Sequence, residues 1–157
     1  MQVKGVYSVP VKYFYDLGNE FSAVTGGWGS SKSSGAETSR GTSYLAISCQ
    51  DNKDCRGRWY TINMIDVSNF SKLAFEVQFQ LGRNYYDTVQ VGIGSSQTNL
   101  DRKKATIRGG PISDTRTIQI DVSDITGEYY ITAMCTDEVT TVDGSSWLRI
   151  YSVWGKW

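Results

Sequence analysis

Ile65-Asp66-Val67-Ser68 recurs as Ile120-Asp121-Val122-Ser123, and each copy leads through a corner into a strand-like run, Leu73 to Leu81 and Glu128 to Cys135. In such a segment an apolar strand ends, and the Asp and Ser side chains bond neighbouring backbone groups. Phe70 or Ile125 then tucks into the core as the chain turns. Two copies of one strand-entry device in a short chain predict an all-β fold, a two-sheet antiparallel β-sandwich. Strand signals elsewhere agree. Leu73, Phe75, Val77, Phe79 and Leu81 alternate with polar residues, as do Val89, Val91 and Ile93, then Leu45, Ile47 and Cys49, and Ile118 and Ile120. The alternation places Leu73, Phe75, Val77 and Phe79 in the interior and Glu76 outside. No segment keeps a helical period for three turns, and 96–104 reads as a short surface turn.

The chain has 157 residues, enough for one domain to bury roughly two thirds of its unfolded surface. The Gly and Ser stretch from Gly26 to Gly41 reads as a long loop within that domain, because two dozen residues before it are too few to form a core. The N-terminal segment is expected to pair beside the last strand. Residues 1–10 read as a lead-in arm or linker and 11–157 as a single sandwich domain.

Sixteen basic and sixteen acidic residues cancel, so no net field draws the chain to nucleic acid or to an anionic membrane surface. No apolar run reaches about 18 residues, which argues against membrane insertion. The N-terminus lacks the basic start and apolar centre of a signal peptide, so export, if any, is expected to be encoded elsewhere. Histidine is absent, which removes the commonest general base and zinc ligand together. Paired carboxylates at Asp51/Asp54 and Asp137/Glu138 do not specify the facing geometry of glycoside hydrolysis, and the expectation is a protein that is not an enzyme. Of the three cysteines, Cys135 reads as a buried free thiol. Cys49 and Cys55 lie at the two ends of one loop, and the sequence leaves open whether they are bridged.

Three stretches offer binding chemistry. Trp28 stands between glycines that leave an indole unshielded for stacking. Arg56-Gly57-Arg58-Trp59-Tyr60 sets aromatic faces beside guanidinium donors, a combination suited to a polyol or an acidic sugar, with Arg58, Trp59 and Tyr60 as the candidates. Arg83-Asn84-Tyr85-Tyr86-Asp87 lies in the turn between two strands, where a rigid sandwich concentrates binding residues. Each stretch has a plain structural alternative: a Trp lid on the core, a solvated strand edge, a hairpin whose rings cover neighbouring loops. Asp16 and Glu20, beside Gly18 and Asn19, offer oxygen ligands to a hard cation such as calcium.

Leu17-Gly18-Asn19-Glu20 through Thr25-Gly26-Gly27-Trp28, the two Ile-Asp-Val-Ser copies and Gly127-Glu128-Tyr129-Tyr130-Ile131 together resemble a jelly-roll domain of bacteriophage tail and baseplate proteins and of bacterial surface proteins. In shape this is similar to the galactose-binding-like sandwiches used as carbohydrate-binding modules. The resemblance runs from about Tyr13 to the C-terminus. It implies a non-catalytic glycan-binding module that attaches a larger particle or polypeptide to a carbohydrate surface, extracellular or on a virion, with polysaccharide or cell-surface glycan as partner. It also implies a structural calcium in some members, for which Glu20 is the one match, and no other cofactor. The competing reading is an assembly domain of a phage tail or surface fibre, whose partners are the neighbouring subunits. The two readings differ over whether Trp59, Tyr85 and Tyr86 are exposed, or all buried or in an interface.

Overall fold

A computed structural model describes residues 10–50, 55–83, 85–110, 112–137 and 145–157. Along the chain run β1 (Val11–Asp16), a single helical turn α1 (Ser22–Thr25), β2 (Trp28–Lys32), β3 (Ala36–Arg40), β4 (Leu45–Cys49), β5 (Cys55–Thr61) and β6 (Ile65–Asp66). They are followed by β7 (Lys72–Leu81), β8 (Thr88–Gly94), β9 (Lys103–Arg108), β10 (Ile112–Asp121), β11 (Glu128–Asp137) and β12 (Ser146–Lys156). Two antiparallel sheets result. One has the order β10-β7-β12-β4-β3 with β1 also on β12; the other has the order β2-β5-β11-β8-β9 with β6 also on β11. The expected pairing of the N-terminal segment with the last strand is present, Val11 opposite Lys156 and Tyr13 opposite Trp154. The expected lead-in arm falls largely outside the described residues.

The repeated corners organise the sandwich. In each, the Asp carboxylate accepts hydrogen bonds from the Ser amide and hydroxyl two residues on, at 3.0 and 2.6 Å for Asp66 and at 2.9 and 2.6 Å for Asp121. The amides of Phe70 and Ile125 close each corner by donating to Val67 and Val122 carbonyls, both at 3.0 Å. The copies also exchange partners. Ile65-Asp66 pairs with Tyr129-Glu128, the strand that follows the second copy, whereas Ile120-Asp121 pairs with Leu73-Lys72, the strand that follows the first. Val67 N–H donates to the Gly127 carbonyl and Val122 N–H to that of Ser71, so the exchange is reciprocal. Each corner thereby feeds its own strand, β7 or β11, into the middle of a different sheet.

The core lies between the sheets. Leu73, Phe75, Val77 and Phe79 of β7 are fully buried with Val89, Val91 and Ile93 of β8, while Glu76 is exposed, as the alternation predicts. Burying side chains of this size contributes about 1.5–3 kcal/mol each. Ala36, Cys49 and Cys55 form a small satellite cluster. All three cysteines are free and buried, and Cys49 donates to the Cys135 carbonyl at 3.6 Å. The neighbouring Cys135 side chain, and then burial, push the Cys49 thiol above its usual range; burial, and then the Cys49 side chain, do the same for Cys55.

The stretch from Gly26 to Gly41 is not the long loop its composition predicts. It contains β2, paired with β5 in one sheet, and β3, paired with β4 in the other. The chain changes sheets between Lys32 and Ala36, where Gly35 takes a left-handed backbone with φ 88°. Both are edge strands, and each buries just one side chain, Trp28 in β2 and Ala36 in β3. Their other positions are free to be Ser, Thr and Gly, so the strand signal is diluted.

Candidate functional site

Strand alternation sends one set of side chains from β5, β11, β8 and β9 outward, away from the core. Register aligns them in rows: Arg58, Met134, Gln90 and Thr106 in one, and Arg56, Thr136, Thr88 and Arg108 in the next. Over these rows lies a cleft of about 270 Å³. Its floor is Met134, Thr136, Thr88 and Gln90, with the Thr88 and Thr136 hydroxyls bonded to each other. Arg56 and Arg58 stand on one side and Lys104 and Arg108 on the other.

A close backbone approach forms one end. Gly94 makes room for the loop between β8 and β9, and Gly92 for the start of β9. A Cβ on Gly94 would stand 1.6 Å from the Asn99 carbonyl oxygen, and one on Gly92 2.1 Å from that of Lys103. The loop is pinned by Asp101, which accepts from the Ser95 amide at 2.9 Å and the Ser95 hydroxyl at 2.7 Å, and by the Thr132 hydroxyl, which donates to the Gln97 carbonyl. Its Thr98, Asn99 and Leu100 line the cleft, and Tyr86 closes the other end.

The structure sorts the residues singled out by sequence. Arg58, Tyr60 and Tyr86 share this outer face, and Tyr60 donates its hydroxyl to the Ser30 carbonyl. Tyr85 stands beside Tyr86, centroids 5.5 Å apart, with the Arg108 guanidinium 4.4 Å over its ring. These two tyrosines are 60 % and 58 % exposed. Arg83 is exposed in the same turn but outside the lining, and Asn84 lies outside the described residues.

Trp28 and Trp59 are not the exposed stacking platforms expected of them; each is 2 % exposed. Their indole N–H groups are satisfied by backbone acceptors, the Phe14 carbonyl at 2.8 Å for Trp28 and the Ala46 carbonyl at 2.9 Å for Trp59. Inward-pointing positions of β2 and β5 force this, whatever glycines flank the rings. Asp87 is likewise buried, its carbonyl accepting from the Gly109 amide, and it lies outside the cleft lining. Trp59 buried with Tyr85 and Tyr86 exposed fits neither extreme of the assembly criterion.

Glu20, the residue matched to a structural calcium, is engaged within the chain. Its two carboxylate oxygens accept from Arg40 at 2.9 and 3.1 Å, and Oε1 also accepts from the Trp28 amide at 2.9 Å. Arg40 donates besides to the Trp28 carbonyl and lies 4.9 Å over the Trp59 ring. The guanidinium bonds, and then the Trp28 amide, hold the Glu20 carboxyl below its usual range against the opposing effect of burial. Among the described residues no three His, Cys, Asp or Glu side chains are grouped to hold a metal ion. Of the carboxylate pairs, Asp51, Asp54 and Glu138 lie outside the described residues and Asp137 is buried.

Sequence reading missed Gln90, Lys104, Arg108 and Met134. The available signal was the alternation itself: if Val89 and Val91 face in, Thr88 and Gln90 face out. It also missed β9, whose Lys-Lys-Ala-Thr-Ile-Arg run carries few buried side chains. A second groove of about 320 Å³ lies on the outer face of the other sheet, along Tyr44, Trp147 and Arg149. Its rings are already covered, for the Arg149 guanidinium sits 4.9 Å over Tyr44 and 5.2 Å over Trp147. The cleft, built by four strands and a crossing loop, is the better-formed site.

No protein-family sequence model matches the chain, and no curated protein matches it in sequence. Solved structures do match in shape. A family 11 carbohydrate-binding module from Clostridium thermocellum, in complex with a β-1,3-1,4-mixed-linked tetrasaccharide, is 15% identical with a TM-score of 0.56, over 96% of this chain and 97% of that one. A point mutant of a family 29 carbohydrate binding module is 13% identical with a TM-score of 0.55, over 94% of this chain and 92% of that one. The glycoside hydrolase domain of Endo-D from Streptococcus pneumoniae R6 matches at 10% identity and a TM-score of 0.54, over 82% of this chain but 21% of that one. These likenesses bear on the sandwich and not on a phage tail or baseplate. The chain has the jelly-roll β-sandwich fold of carbohydrate-binding modules.

Proposed function

We propose that the chain is a non-catalytic carbohydrate-binding module whose ligand lies across the outer face of β5, β11, β8 and β9. The observation that carries this reading is the cleft itself, an open trough with hydrogen-bonding side chains along its floor and walls and an exposed tyrosine at one end. Two full-length structural matches are carbohydrate-binding modules, one seen with an oligosaccharide, which supports the same reading.

A shallow trough of this kind gives a dissociation constant on the order of micromolar to millimolar, because each hydrogen bond exchanged with water nets only about 1 kcal/mol. Attachment of a larger polypeptide to a polysaccharide surface, outside the cell, would then depend on several copies acting together. A polysaccharide panel in affinity electrophoresis tests the reading. The native chain is expected to be retarded by at least one polysaccharide. Tyr86→Ala should weaken that retardation about tenfold while leaving the melting temperature nearly unchanged, since an exposed ring adds little to the core. Full retardation of Tyr86→Ala, or none of the native chain, would count against the site.

A further inference from the structure

Building on the carbohydrate reading, we propose that the cleft takes an anionic polysaccharide, one bearing carboxylate or sulfate groups. The chain as a whole is neutral, with sixteen basic and sixteen acidic residues, so a one-signed site is not a by-product of composition. The cleft is one-signed nonetheless. Arg56 and Arg58 flank it on β5, Lys104 and Arg108 on β9, and among the described residues that line it there is no carboxylate.

Three cations elsewhere are held in ion pairs: Lys32 with Glu37, Arg40 with Glu20, and Arg116 with Asp114. Among the described residues Arg58 and Lys104 have no such partner, and Arg108 has the ring of Tyr85. Arg58 is the sharpest case. Its Nε is buried and makes no hydrogen bond, and burial, then the charge of Arg56, pull the guanidinium below its usual range. A half-buried cation with an unmade bond and a like-charged neighbour is destabilising by itself. A bound carboxylate or sulfate oxygen would supply the missing acceptor and offset the repulsion, and a guanidinium fork suits such groups.

The spacing suits a chain molecule. β5 and β9 are three strand intervals apart, roughly 14 Å, so a linear polymer on the floor meets cations on both flanks. Single-stranded nucleic acid, the other polyanion of this shape, needs aromatic platforms for its bases, and this floor is Thr, Gln and Met.

The test is titration calorimetry of the whole chain with polygalacturonate, dextran sulfate, a neutral mixed-linkage β-glucan and poly(U). The expected result is at least tenfold tighter binding to one of the two anionic polysaccharides than to the neutral glucan or poly(U), weakening as salt shortens the screening length. The stronger of the two says whether the groups read are carboxylates or sulfates. Arg58→Gln and the exposed Lys104→Gln should each weaken that binding about tenfold, and Arg58→Gln should not melt lower, because it removes an unpartnered buried donor. Equal, salt-insensitive binding of the neutral glucan would overturn the anionic claim and leave the carbohydrate reading standing. Poly(U) binding tighter than any polysaccharide would overturn it in favour of nucleic acid, and binding of none of the four would overturn both readings.

Discussion

Arg40→Met tests how the open edge of the sandwich is held. Arg40 is on an edge strand of one sheet, and its guanidinium reaches Glu20, the Trp28 carbonyl and the face of Trp59, the last two in strands of the other sheet. The side chain is about half exposed, so the two-bonded ion pair contributes no more than about 1 kcal/mol. The bond to the Trp28 carbonyl adds about 1 kcal/mol and the cation over Trp59 about 0.5 kcal/mol. Together they make Arg40→Met cost about 2 kcal/mol, a fall of roughly 4–8 °C in melting temperature for a chain of this size. The pH dependence separates the ion pair from the rest. The folded Glu20 carboxyl titrates below its ordinary 4.5, so the unfolded chain binds more protons in that range. The stability it contributes is complete above the ordinary value and is lost as pH falls through the folded one. The difference between the native chain and Arg40→Met should therefore shrink between about pH 6 and pH 3. Thermal melts at both pH values decide it. A melting temperature within about 1 °C of the native one, or a difference independent of pH, would refute this account of the edge.

Trp59→Ala should cost about 3–5 kcal/mol in urea unfolding, because the ring is core and its N–H is paired; a loss below about 1 kcal/mol would return it to the surface. Gly94→Ala, whose Cβ has no room beside Asn99, should displace the β8–β9 loop and weaken polysaccharide retardation, and unchanged retardation would mean the loop is no wall of the site. Native chain treated with a thiol reagent at mildly alkaline pH should label slowly at all three buried cysteines and rapidly in denaturant. Fast native labelling of Cys135 would contradict its place in the core.

Much of the fold was legible because its determinants are local. The Asp and Ser of each corner bond within two residues, and the alternation of Leu73, Phe75, Val77 and Phe79 sets one face of one strand. What was illegible is what depends on the partner strand. β2 and β3 read as loop because each buries just one side chain, and β9 read as surface because it buries none fully. Glycines beside Trp28 suggested exposure, yet the direction of a strand side chain follows from its parity, and the Phe14 carbonyl that receives the indole comes from another strand. Arg58, Tyr60 and Tyr86 were recognisable one by one. Their convergence with Gln90, Lys104 and Arg108 was not, since it arises only when β5, β11, β8 and β9 pair in register.

The most direct measurement is an amide chemical-shift map of the isotope-labelled chain titrated with an oligosaccharide of whichever polysaccharide retards it. Binding across the cleft predicts that the largest shifts fall on Arg58, Met134, Thr136, Gln90 and Lys104, with the amides of Ser48, Trp147 and Arg149 on the opposite face unmoved. Shifts confined to Ser48, Trp147 and Arg149 would place the ligand in the other groove and contradict the account.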